Sequence, residues 1–200
     1  IKSEGVFPNL KFKEVVNLHL YSKINYYQAE KFIMNKLKEL PKNLSYHNLL
    51  HTKDVLSAVE RIALAENITD EGLFLLKSAA IYHDVGFIEK YEENEEVSAS
   101  FAHQTLPKYG YKEEHIKKIK ELIFVTSIPQ NPKTTLEKII CDADLDYLGR
   151  EDFDKVSSRL RDELKTYGKI KTNNEWDELQ VSFLKSHKYF TQTAKKTRNK

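Results

Sequence analysis

The sequence predicts an all-α fold, a single helical domain spanning residues 1–200. Two observations predict it. Apolar residues recur at i, i+3, i+4 and i+7 in one segment after another, which is the period of a helix with one buried face. No stretch alternates apolar and polar residues for long enough to make a strand, and no repeat or low-complexity tract interrupts the pattern. The chain has 200 residues, 40% of them hydrophobic and 11% aromatic, enough for one core and too apolar for disorder.

Residues 1–9 contain Gly5 and Pro8 and read as an irregular lead-in. Over residues 10–24, Phe12, Val15, Val16 and Leu20 recur at helical spacing. Asn25 is a cap for a second helix with Ala29, Phe32, Ile33, Leu37 and Leu40 along its stripe, stopped by Pro41. A helix over residues 44–66 carries His47, His51, Val55, Val59, Ile62 and Ala63. Asn67 and Thr69 break the chain. Asp70 opens the next helix, with Leu73, Leu76, Ala79, Ala80 and His83, and Gly86 ends it. The small residues Ser78, Ala79 and Ala80 let a neighbouring helix come close just before His83.

Further helices are expected around Ala99, Ala102 and Leu106, and from Glu113 to Val125 with Ile116, Ile119, Leu122 and Ile123 facing inward. Pro129 and Pro132 make residues 128–134 a loop. Residues 136–148 resume an apolar helix into which Asp142, Asp144 and Asp146 are set. The remainder is helical, broken at Gly168 and near Asn173, with Trp176, Leu179, Phe183 and Leu184 as its last stripe. The Lys and Arg run at the end reads as a solvated tail.

Charge and cysteine content narrow the setting. Thirty-two Lys and Arg against 30 Asp and Glu leave a formal charge of +2, a mixed surface with no sign of a dedicated nucleic-acid or membrane partner. The longest apolar stretch, residues 72–82, is interrupted by Lys77 and is too short to span a bilayer. The single cysteine, Cys141, cannot form an internal disulfide, which fits a reducing, cytoplasmic compartment. The chain begins with Ile1 rather than Met, so a removed leader or a truncation stays open.

The chemistry sits in three separated pieces. His47 and His51 are four residues apart, on one face of the expected helix, and lead into its apolar stripe. His83-Asp84 falls where the next helix ends. Asp142 and Asp144 lie in an apolar helix, where an ionised carboxylate is costly unless paired, hydrogen-bonded or metal-bound. Imidazoles and carboxylates together suit a catalytic divalent metal. The zinc-protease pattern needs Glu directly after the first His, and Asn48 stands there, so that class is excluded.

Taken together the residues resemble the HD superfamily of metal-dependent phosphohydrolases, whose pattern is a His, a His-Asp doublet and a distant Asp. His51, His83, Asp84 and Asp144 match that order. Tyr46-His47-Asn48 followed by His51 is similar to a motif of cyclic-nucleotide phosphodiesterases, which share the helical core. The runs 79–86, 95–99 and 142–146 are similar to bacterial HD-domain hydrolases, and the likeness covers roughly Phe12 to the C-terminus.

The resemblance implies one divalent metal ion (manganese, magnesium, iron, cobalt, nickel or zinc) held by His51, His83, Asp84 and Asp144, with Asp142 as the alternative distant ligand. It implies that His47 protonates the leaving oxygen, with Asp84 and Glu95 also catalytic, Glu95 orienting water. Relatives with two metals add a His near Asn94-Glu95-Glu96 and another near Val125-Thr126-Ser127; neither is present here, which favours one metal. His103 and His115 do not match those places and read as surface residues. Lys53, Lys77 and Arg150 are candidates for meeting substrate phosphate. The expected activity is hydrolysis of a nucleotide or other small phosphate ester. A cyclic-nucleotide phosphodiesterase is the narrower alternative, and a non-catalytic nucleotide-binding regulatory module is the alternative of another class.

Overall fold

The computed structural model describes residues 24–198; the expected lead-in and most of the first expected helix, residues 10–23, lie outside them. Among the described residues there are nine α-helices and no strand. They are α1 (Tyr26–Lys36), α2 (Leu49–Ala65), α3 (Asp70–Tyr82), α4 (Asn94–Thr105), α5 (Glu113–Phe124), α6 (Thr135–Asp144), α7 (Phe153–Thr166), α8 (Asn173–Ser186) and α9 (Gln192–Arg198). None is long and apolar enough to cross a membrane.

Side-chain caps start most of these helices. Asn25, Asn48, Thr69, Thr134 and Thr172 each accept a backbone N–H from the first turn, satisfying a donor the helix cannot. Thr134 and Glu137 form a reciprocal capping box on α6. Asn48 as the cap of α2 corrects one expectation: His47 precedes the helix instead of sharing its face with His51.

Helix α3 is the centre of the bundle. Leu75, Leu76, Ala79, Ala80, Ile81 and Tyr82 are all buried, and α1, α2, α4, α5 and α6 pack around it. The fully buried Ser78, Ala79 and Ala80 give those neighbours room, as their size predicts. Each large aliphatic side chain buried here contributes about 1.5–3 kcal/mol relative to exposure.

After α3 the chain turns through a 3₁₀ segment, Val85–Ile88. A Cβ on Gly86 would overlap the carbonyl oxygen of Asn94, and the Gly86 N–H donates to Ser98 Oγ at 2.8 Å. Only glycine lets this segment lie against the first turn of α4, which fixes His83 and Asp84 relative to Asn94.

A second, smaller apolar cluster gathers Tyr46, Leu145 and Tyr147 with Val156, Leu160 and Phe183, and so carries α7 and α8 past the α2–α3–α6 junction. Helix α7 ends in a Schellman motif: Lys169 N–H bonds Leu164 O at 2.8 Å, Gly168 N–H bonds Lys165 O at 3.1 Å, and Gly168 has φ +68°.

Three more expectations are corrected. The basic C-terminal run is a docked helix, not a solvated tail, as far as Arg198, whose guanidinium donates to both oxygens of the buried Asp146 at 2.9 and 3.0 Å. His115 is buried in α5, its Nδ1 accepting the Lys112 N–H at 3.3 Å, whereas His103 is exposed as expected. The final stripe of α8 is only partly covered, with Leu179 and Leu184 exposed.

Candidate metal centre

Three helix ends meet at one point. His51 lies in the first turn of α2, His83 caps the C-terminus of α3 with Asp84 next to it, and Asp144 is the last residue of α6. His51 Nε2 stands 3.2 Å from Asp144 Oδ1, 3.3 Å from Asp84 Oδ2 and 3.3 Å from His83 Nε2. His83 Nε2 is 3.2 Å from Asp84 Oδ2 and 3.5 Å from Asp144 Oδ1. One ligand atom each of His51, His83 and Asp144 lies within 4.8 Å of the other two, a group that could hold a metal ion, and Asp84 joins it through the two imidazoles.

The donor set fits a divalent cation. Donors about 2.1 Å from one ion stand roughly 3.0–3.4 Å from their neighbours, close to the 3.2–3.5 Å that separates each imidazole from each carboxylate here. His83 Nδ1 lies 2.8 Å from Ala80 O, and donating to that carbonyl leaves Nε2 with its lone pair toward the cluster. Asp84 Oδ2 is buried with no hydrogen-bond partner, and its nearest polar neighbours are His83 Nε2 at 3.2 Å and His51 Nε2 at 3.3 Å. An anionic oxygen so placed is costly unless a cation meets it.

The charges agree. Burial works to raise both carboxyls, but the imidazoles facing them prevail, and Asp84 and Asp144 are held below the usual carboxylate range. Burial works to lower His83, and the two carboxylates more than offset it. Two ionised carboxylates facing two imidazoles are balanced by one divalent ion once the imidazoles are neutral.

Asp142 stands apart from the cluster. Its oxygens accept the backbone N–H groups of Phe190 and Thr191 at 2.8 and 2.7 Å, so it ties α6 to the segment before α9. Burial nonetheless pushes its carboxyl above the usual value.

His47 sits beside the cluster, stacked on Phe87 with ring centroids 4.4 Å apart. Its position comes from Glu163 of α7, whose Oε1 lies 2.5 Å from His47 Nδ1 and whose Oε2 accepts the backbone N–H groups of Tyr46 and His47 at 2.7 and 3.0 Å. Tyr91 Oη donates to Glu163 Oε1 at 3.2 Å. Burial acts to lower the imidazole pKa, but the Glu163 hydrogen bond and the Asp84 charge outweigh it, so His47 titrates above its ordinary value.

Glu163 was not anticipated from the sequence. The available signal was its register: Val156, Leu160, Glu163 and Tyr167 follow i, i+4, i+7, i+11, which puts the glutamate on the inward face of α7.

A cavity of about 360 Å³ opens on the cluster, lined by His47, His83, Asp84, Asn94, Glu95, Thr126 and Asp144 at one end. Asn94 and Thr126, where two-metal relatives were expected to carry histidines, both reach this cavity. Glu95 is at its wall in the first turn of α4. Arg150 is held by Asp54 at 2.8 Å and Asp152 at 2.9 Å, and with Lys53 it lines a second cavity behind His51. Lys77 is away from both, paired with Glu60 at 2.6 Å and over the Tyr26 ring.

No protein-family profile matches the chain, and no curated protein matches it. A crystal structure described as a predicted HD superfamily hydrolase, from an uncultured Thermotogales bacterium, superimposes with a TM-score of 0.58. The match covers 92% of this chain and 88% of the other at 20% sequence identity. The two proteins share a fold. The expected all-α architecture is therefore present and shared with that protein, and the convergence of three helix ends is a feature of this chain's own geometry within it.

Proposed function

We propose that this chain is a metal-dependent phosphohydrolase of the HD superfamily, hydrolysing a phosphate ester with one divalent ion held by His51, His83, Asp84 and Asp144. The observation that carries the reading is that His51 Nε2 and His83 Nε2 each stand 3.2–3.5 Å from both Asp84 Oδ2 and Asp144 Oδ1, with Asp84 Oδ2 buried without a hydrogen-bond partner. The HD-type fold supports it by analogy. When bound, such an ion polarises water for attack on phosphorus and offsets charge on the phosphoryl oxygens.

The chain's own groups do the rest. His47 lines the cavity with Nδ1 committed to Glu163, which leaves Nε2 to give a proton to the departing oxygen. Glu163 is the positioning residue: it fixes the ring orientation and stabilises the imidazolium before transfer. Glu95 stands at the wall of the cavity, where its carboxylate orients water beside Asp84. A cytoplasmic setting belongs to the same reading, since the one cysteine is buried and free.

The test is a manganese-supplemented screen of purified protein on nitrophenyl phosphate, a nitrophenyl phosphodiester, nucleoside monophosphates and cyclic nucleotides. Turnover lost on chelation is the expected result. Activity on diesters and not monoesters narrows the reading to a phosphodiesterase. Tight nucleotide binding with no turnover replaces it with a regulatory module.

A further inference from the structure

The cavity that begins at the candidate metal centre does not stay polar. Away from Asp84 and Asp144 it runs between α7, α8 and the loop after α3, walled by Phe87, Leu160, Leu164, Trp176, Leu179 and Phe183. Its polar groups cluster at the carboxylate end, apart from Gln180 on α8. No Lys or Arg is among the described residues lining it. Ile128 and Leu179 line it while 56% and 48% exposed, which puts them where it reaches solvent.

A substrate's phosphoryl group has one place to go, the donor cluster. Whatever is bonded to that group must lie along the apolar walls. A second or third phosphate there would have no counter-charge, a desolvation cost nothing offsets. An aliphatic or aromatic group would be driven in by the same walls.

We infer that this site takes phosphate esters carrying a single phosphoryl group on an apolar alcohol, and discriminates against nucleoside di- and triphosphates. The inference rests on the phosphohydrolase reading for its chemistry, but the corridor's preference is measurable without turnover. Trp176 is the only tryptophan in the chain and lines the corridor, so its fluorescence reports occupancy.

The experiment titrates the full-length chain, with manganese present, against methyl-, butyl- and octylphosphonate while following Trp176 emission. In parallel it measures kcat/KM on methyl phosphate, octyl phosphate, nitrophenyl phosphate and adenosine triphosphate. Affinity should rise about fourfold per added methylene until the corridor is full. Octyl phosphate should be the best unactivated ester and adenosine triphosphate the poorest substrate. Leu179→Asp, at a half-exposed position that does not threaten folding, should weaken octylphosphonate about tenfold or more.

Turnover with affinity flat across the phosphonates, or with the triphosphate preferred, overturns the inference and leaves the hydrolase reading standing. Length-dependent binding with no turnover even of nitrophenyl phosphate does the reverse: the corridor's preference holds and the hydrolase reading falls. No emission change and no turnover overturn both.

Discussion

Glu163 Oε1 lies 2.5 Å from His47 Nδ1, across 116 residues of sequence, and the same carboxylate accepts the backbone N–H of His47. One buried glutamate therefore fixes both the main chain and the ring of the candidate general acid. Burial works to raise its own pKa, yet the hydrogen bond from His47 prevails and holds the carboxyl below the usual range. Glu163→Gln keeps the shape and removes the charge. It should lower kcat on an alkyl phosphate about tenfold to a hundredfold, as loss of an orienting partner does elsewhere. Stability should fall by about 1–3 kcal/mol, read from urea unfolding.

His47→Ala separates proton donation from ligation. A general acid matters most for a poor leaving group, typically about a hundredfold to ten-thousandfold. The variant should keep its metal, lose most activity on an alkyl or nucleoside ester, and lose much less on a nitrophenyl ester. Equal losses on both esters would make His47 a positioning residue only.

Gly86 tests whether the close approach after α3 sets the cluster. Gly86→Ala drives a methyl into the Asn94 carbonyl and must shift one segment against the other. We expect a loss of about 1–3 kcal/mol in unfolding free energy, with weaker metal binding because His83 and Asp84 move with the turn. Unchanged stability and metal affinity would separate the turn from the site.

Stability should depend on pH through His115. Its burial holds the imidazole pKa below 6.5, and Nδ1 is an acceptor for the Lys112 N–H, so the folded state resists a proton the unfolded chain takes up near 6.5. Unfolding free energy should thus be fully retained above pH 6.5 and fall as pH drops from there through the folded-state pKa. His115→Gln, which can still accept that hydrogen bond, should flatten this part of the profile. An unchanged slope would move the effect to another group.

Much of the bundle was legible because α3 and α5 bury residues at a clear helical period, and because Asn25, Thr69 and Pro41 mark helix ends by local chemistry. His51, His83, Asp84 and Asp144 were legible as residue types in order, though nothing local tells that three helix ends converge. The start of α2 was misread because apolar periodicity runs back through Leu44, while the cap at Asn48 is decided by one side-chain hydrogen bond to Leu50 N–H at 2.9 Å. The C-terminal helix was hidden by its charge: Arg198 docks on Asp146, and only the fold brings that carboxylate to it. Glu163 was missed because a charged residue in a charged segment reads as solvent-facing; its register with Val156 and Leu160 was the one local sign of burial, and only the fold brings Tyr46 and His47 to it.

Asp142 and Asp144 are two residues apart on α6 and have opposite roles: Asp142 accepts backbone N–H groups and Asp144 faces the two imidazoles. Asp142 holds the chain at Phe190 and Thr191, so Asp142→Asn should cost about 1–3 kcal/mol of stability and leave metal content intact. Elemental analysis of the wild type, Asp142→Asn, Asp144→Ala and the exposed-site control His103→Ala, purified side by side, is the direct test. The wild type, Asp142→Asn and His103→Ala should each carry close to one divalent ion per chain, and Asp144→Ala should lose it. Full metal retention in Asp144→Ala, or near two ions per wild-type chain, would contradict this assignment.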